Sequence, residues 1–128
     1  MQFNDNPEQA KWRAEVREFL ASANPPRVPE DGNFEDDSDQ REWRGKLAKR
    51  GWIAPAWPKE YGGAGLGVVE QFIMNEEFAE ARAVAMGGAS VGFLGPTLIQ
   101  YGTDEQKKEH LSRILAGEAE WCQGYSEP

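Results

Sequence analysis

From Ala83 to Thr103 the sequence carries no charged side chain, and this run limits the folds open to the chain more than any other feature. Its length would allow a membrane span, which needs about 20 apolar residues. Gly87, Gly88, Gly92, Gly95, Pro96 and Gln100 dilute its hydrophobicity too far for lipid. The run therefore predicts a helix buried within a bundle. Val91, Leu94, Leu98 and Tyr101 would face a core, Pro96 would bend the helix and Gly102 would end it. No membrane span is expected, and the chain reads as a soluble protein.

Four more helices are expected around it. Asp5 or Asn6 offers an N-cap, Pro7 suits a first turn and Glu8 complements the positive end of the dipole. Trp12, Val16, Phe19 and Leu20 then recur at helical spacing until Pro25 and Pro26 stop the helix. Residues 24–37 are rich in proline, glycine and acid and read as a surface loop. Ser38 or Asp39 can cap a second helix that buries Trp43 and Leu47, with Lys49 and Arg50 at its negative end and Gly51 as a left-handed stop. A third helix runs from about Val68 to Ala83. Phe72, Ile73, Glu76, Ala79 and Ala83 share its face, which predicts a partly buried Glu76. Thr103 and Gln106 form a capping box for a fifth helix, which turns Leu111, Ile114 and Leu115 inward and stops at Gly117. Helical periodicity is lost from Glu118 to Tyr125, which reads as the start of a strand. The expected class is all-α, a bundle of about five helices with the start of a β-strand at the C-terminus.

One stretch fits neither helix nor linker. Residues 51–65 hold Pro55 and Pro58 with four glycines, which forbid a helix. Trp52, Ile53, Trp57 and Tyr61 are too apolar for a flexible connection. A loop packed onto the protein is expected.

Several chemistries are excluded early. Lys plus Arg number 14 against 22 for Asp plus Glu, a net charge of -8. Without a basic face the chain cannot displace the counterions of nucleic acid, and an anionic membrane would repel it. A single cysteine, Cys122, cannot form an internal disulfide, and Met1 to Asp5 lack the basic start of a secretory signal. A cytoplasmic location is expected. His110, among Lys107, Lys108 and Glu109, reads as a solvated residue, and Cys122 as packing rather than nucleophile. Glu30, Asp31, Glu35, Asp36, Asp37 and Asp39 lack the ligand order of a calcium loop, so no metal site is expected. Glu76 and Glu77 are helix neighbours about 100° apart and cannot act as a catalytic carboxylate pair. Gly87, Gly88, Gly92 and Gly95 leave gaps that suit close packing or a cavity wall beside a long, slim ligand; composition favours packing.

Three blocks carry a resemblance. The run Gly51-Trp52-Ile53-Ala54-Pro55-Ala56-Trp57-Pro58-Lys59-Glu60-Tyr61-Gly62-Gly63-Ala64-Gly65 resembles the hallmark loop of acyl-CoA dehydrogenases. So does Tyr101-Gly102-Thr103-Asp104-Glu105-Gln106-Lys107-Lys108, followed by Leu111, Ile114, Leu115, Ala116 and Gly117. The third, Trp121-Cys122-Gln123-Gly124-Tyr125-Ser126-Glu127-Pro128, is similar to the segment that opens the family's central β-domain. The resemblance implies an N-terminal helical domain over residues 1–118 and the start of the middle domain over 119–128. It implies α,β-dehydrogenation of an acyl-CoA thioester, in which a carboxylate removes the α-proton and FAD accepts the hydride. Electrons would leave for an electron-transfer flavoprotein. By matching positions Gln123, Gly124, Tyr125 and Ser126 would line the flavin, and Phe72, Gly87, Gly88, Val91 and Leu94 would wall the acyl pocket. The family's base comes from a later helical domain, so no catalytic residue is assigned here and the chain alone is expected to be inactive. A homo- or hetero-oligomer is implied, since some family members work as heteromers. The rival expectation is a non-catalytic helical interaction module that reuses this fold.

Overall fold

The computed structural model describes residues 4–28, 30 and 37–126. Five α-helices account for most of it: α1 (Pro7–Ala23), α2 (Asp37–Ala48), α3 (Val68–Glu80), α4 (Gly95–Tyr101) and α5 (Asp104–Ala116). A 3-10 turn occupies Lys59–Tyr61 and a π-turn Ser90–Leu94. The only β pairing among the described residues is an isolated antiparallel bridge between Arg27 and Ala83. The all-α expectation holds.

The chain divides into two compact units, one of residues 1–46 with 66–85 and the other of 47–65 with 86–128. In the first unit α1 packs on α3. Asn6 is the N-cap of α1 and exchanges hydrogen bonds with Gln9, each backbone N–H donating to the other's side chain at 2.9 Å. Asn24 ends the helix in the left-handed conformation, ahead of the two prolines. Val16 and Leu20 are buried from α1, and Ile73, Met74 and Phe78 from α3. Each such side chain contributes about 1.5–3 kcal/mol relative to exposure. Trp43 of α2 completes this core. Its ring stacks on Phe19 at 5.7 Å, meets Phe78 at 6.2 Å, and its indole N–H donates to the Val84 carbonyl at 2.7 Å. The Val28 N–H donates to Arg82 O and the Val84 N–H to Pro26 O, so the segments after α1 and α3 are stitched together.

The second unit is built on the packed loop. Ala54 and Trp57 form a buried cluster with Leu111 and Ile114 of α5, and Tyr61, Val91, Leu94, Leu98, Ile99 and Leu115 pack around it. Gly51 sits at φ 71° where a Cβ would lie 2.6 Å from the Gly63 carbonyl carbon, so both the backbone angle and the close approach require glycine. The Thr103–Gln106 capping box and the left-handed Gly117 bound α5 as expected.

The structure corrects several expectations. Glu77, not Glu76, is buried on α3, because the inward face is Ile73, Met74, Glu77 and Phe78; Phe72 is 59% exposed. α3 ends at Glu80, where the turn through Arg82 at φ 52° leads into the bridge at Ala83. The charge-free run is not one helix. Its first residues are irregular, Gly87 and Gly88 have positive φ, and the helix begins only at Gly88, widens into the π-turn and continues as α4. Pro96 has no N–H to give the Gly92 carbonyl, and the helix is widened over Ser90–Leu94 just before it. Tyr101 is 77% exposed rather than buried. α2 begins at Asp37, ahead of both expected caps, Ser38 and Asp39. Cys122 is exposed, not packed. Residues 119–126 have no regular structure, since a strand needs a neighbour to pair with and none lies among the described residues. Asp31, Glu35 and Asp36 of the acidic loop lie outside the described residues; no metal-holding cluster occurs among those described. No helix is long and apolar enough to cross a membrane.

Candidate functional site

The candidate site residues fall in both units. In the first, Phe72 stands with Val68 and Val69 on the open face of α3. They line a groove of about 640 Å³ with Gln9, Arg13 and Ile73. Beside it Arg13 reaches three carboxylates. Its Nη1 donates to Glu77 at 3.1 Å, its Nη2 to Glu76 at 2.9 Å, and it forms a two-nitrogen pair with Asp5. Arg17 grips Glu77 from the other side, with Nε and Nη2 each donating to a carboxylate oxygen at 2.8 Å. The Arg17 hydrogen bonds, followed by those of Arg13, hold the Glu77 carboxyl below its ordinary range against the upward push of burial. A carboxylate clamped by two guanidiniums is a poor proton acceptor. The group fastens α1 to α3 rather than offering a base.

In the second unit Gly87, Gly88, Val91 and Leu94 follow one another into the π-turn. A Cβ on Gly87 would lie 3.0 Å from Val91 Cβ, whereas one on Gly88 would meet nothing within 4 Å. Val91 and Leu94 pack on the core cluster. The Val91 carbonyl accepts the Trp57 indole N–H at 3.0 Å. Phe93, on the same turn, is 69% exposed and was not expected from the sequence.

Gln123, Gly124, Tyr125 and Ser126 are consecutive, exposed and outside any helix or sheet. Among the described residues, 119–126 make no backbone–backbone hydrogen bond. Their position is set upstream, at Trp121. The Trp121 N–H donates to Ser90 Oγ at 2.9 Å, and its ring meets the His110 imidazole edge-on at 5.4 Å. Ser90 is 7% exposed. Sequence reasoning missed Ser90 and left His110 to solvent, although His110 is half-buried. No local spacing signals a contact across so many residues.

A family model for the acyl-CoA dehydrogenase N-terminal domain matches residues 6–118. The chain is 37% identical over its whole length to the acyl-CoA dehydrogenase FadE26 of Mycobacterium tuberculosis, covering 33% of that protein. It is 30% identical over 94% of its length to mitochondrial isovaleryl-CoA dehydrogenase of Pongo abelii, covering 29% of it. Among solved structures, a chain of the ChsE4-ChsE5 complex from Mycobacterium tuberculosis superposes with a TM-score of 0.75 at 37% identity, over all of this chain and 32% of that one. The Tcur3481-Tcur3483 steroid ACAD gives 0.69 at 32% identity, over 92% of this chain and 31% of that one. The chain thus spans about a third of the length of these relatives. With five helices in the expected order and the family model matching from the α1 cap to the end of α5, the chain belongs to the acyl-CoA dehydrogenase family and carries its N-terminal domain.

Proposed function

We propose that this chain is the N-terminal part of a flavin-dependent acyl-CoA dehydrogenase that oxidises the Cα–Cβ bond of an acyl-CoA thioester. The observation that carries the reading is the tetrapeptide Gln123–Ser126, exposed and free of any backbone ladder, separated from the family domain by residues 119–122 alone. Its open backbone N–H groups, the Ser126 hydroxyl and the Gln123 amide are of the kind a flavin's polar edge accepts, and Gly124 has nothing within 4 Å of where a Cβ would stand. The residues fit the group. FAD, when bound, supplies the hydride acceptor. Ser126 and the neighbouring amides would hold and orient it, and Tyr125 would shield one edge from water. No residue of this chain is assigned as the base, because Glu76 and Glu77 are engaged by arginines.

The substrate is proposed as a bulky acyl-CoA. One relative is described as a steroid ACAD, and a steroid-like acyl group suits a wall in which Gly88 leaves open space. Gly87, Gly88, Val91 and Leu94 of the second unit and, separately, Phe72 of the first remain proposed substrate-contacting residues. Electron-transfer flavoprotein is the proposed electron acceptor and the cytoplasm the proposed location. A heteromeric assembly is supported by the relative solved as a complex of two named proteins. The non-catalytic interaction module is the second reading, favoured by the exposed Val68–Phe72 groove.

The test is anaerobic mixing of the flavin-loaded protein with straight-chain, branched and steroid-side-chain acyl-CoAs. Bleaching of the flavin by a steroid-type substrate is expected. A full-length protein that carries no flavin would leave the interaction module standing.

A further inference from the structure

Residues 119–126 form no helix and pair with no strand, yet Trp121 within them is held at two different groups. Its main-chain N–H is taken by Ser90 Oγ at 2.9 Å, and its indole by the edge of His110 at 5.4 Å with the rings 83° apart. Fixing the backbone alone would leave the ring free to turn; fixing the ring alone would let the chain slide. The two together set both the place and the direction in which the chain leaves Trp121.

The supports come from different elements. Ser90 opens the π-turn, and His110 lies in the middle of α5. A serine inside a helix commonly turns its hydroxyl back to a carbonyl one turn earlier. Here the Ser90 oxygen instead receives an N–H from a residue 31 positions away. π-turns inside helices occur frequently at functional sites. The widened turn is itself held in place, through the Val91 carbonyl and the Trp57 indole.

From this geometry we infer that Ser90 and His110 are positioning residues for the flavin-lining segment, acting through Trp121 on Gln123–Ser126. The inference rests on the flavin reading above. Ser90 touches neither flavin nor substrate in this scheme. Its hydroxyl fixes where the open amides begin, and pre-placed donors bind a ligand more tightly than donors that must first be ordered. His110 keeps the indole from swinging across the same space.

The experiment compares wild type with Ser90→Ala, Ser90→Thr, His110→Ala and His110→Phe in the flavin-loaded full-length protein. Three quantities are read: amide hydrogen exchange at Trp121, the flavin dissociation constant and the melting temperature. Ser90→Ala and His110→Ala are expected to speed Trp121 exchange and to weaken flavin binding by roughly three- to tenfold. The melting temperature should stay nearly constant. Ser90→Thr keeps the hydroxyl and His110→Phe keeps an aromatic ring, so both should return flavin affinity toward wild type. The position of His110 on a half-exposed helix face makes its variants independent of any packing fault at Ser90. Unchanged flavin affinity in both alanine variants of a flavin-binding protein overturns the positioning role and leaves the flavin reading intact. A wild-type protein that takes up no flavin overturns both.

Discussion

A Cβ placed on Gly95 would fall inside the space occupied by the six-membered ring of Trp57. The first residue of α4 therefore lies flat against the indole of the hallmark loop, and the same indole donates its N–H to Val91 O in the π-turn before it. Loop and helix are locked face to face and by a hydrogen bond at once.

Gly95→Ala should destabilise the protein by about 1–3 kcal/mol, the cost of forcing a methyl group into a filled core. Trp57→Phe should cost about 1–3 kcal/mol by leaving the Val91 carbonyl without its donor as well as by shrinking the ring. Because both changes act on one contact, the double variant should lose less than the sum of the two. Urea denaturation of all three checks this, and strict additivity would show that the contact does not couple them.

The arginine–carboxylate group predicts an ordering of variants. Arg13→Ala leaves Asp5, Glu76 and a buried Glu77 short of positive charge and should cost about 2–4 kcal/mol. Glu77→Gln should cost less, about 1–2 kcal/mol, since the amide still accepts from an arginine and Arg17 is largely in water. Thermal melts at neutral pH test the order.

Acid should loosen the same group. The Glu77 carboxyl is held below the ordinary value of 4.5 by Arg17 and then Arg13, and Asp5 is held low by its hydrogen bond to Arg13. A group that binds its proton less readily when folded stabilises the fold fully above its unfolded pKa and loses that contribution as pH falls through the folded value. This contribution should be constant from neutrality to about pH 5 and decline below about 4.5. In Glu77→Gln the fall in melting temperature below that point should be shallower than in wild type.

Ser126→Ala in the flavin-loaded protein should alter the flavin spectrum or its rate of reduction and leave the melting temperature alone. Ser126 is exposed, so its hydroxyl supports little of the fold. A lower melting temperature with unchanged flavin properties would remove it from the proposed site.

The isolated 128-residue chain should hold no flavin through gel filtration, because four consecutive residues cannot enclose a cofactor. It should also self-associate through exposed Val68, Val69 and Phe72, and Phe72→Asp should reduce the association seen by sedimentation.

Much of the fold was legible because its signals are local. The Thr103–Gln106 capping box, the stop at Gly117, the buried pair Trp43 and Leu47 and the closed loop over 51–65 all rest on residues near one another in the chain. Hydrogen bonds and steric limits over three or four residues do not depend on what packs around them. The site was less legible. The four residues proposed to line the flavin came from the family resemblance, since an exposed tetrapeptide has no periodicity to read.

The sequence by itself determined where α1 and α5 begin and end and which class of fold the helices build. The tertiary structure decided which of Glu76 and Glu77 turns inward, because one residue of helix is a 100° rotation and only the surrounding Ile73, Met74 and Phe78 select the face. It also decided that the charge-free run breaks into an irregular lead, a π-turn and α4. A carbonyl of that turn is bonded to Trp57, which is 34 residues distant, and a hydroxyl to Trp121. Such bonds join residues that meet only after the chain has folded, so no window of sequence contains both partners.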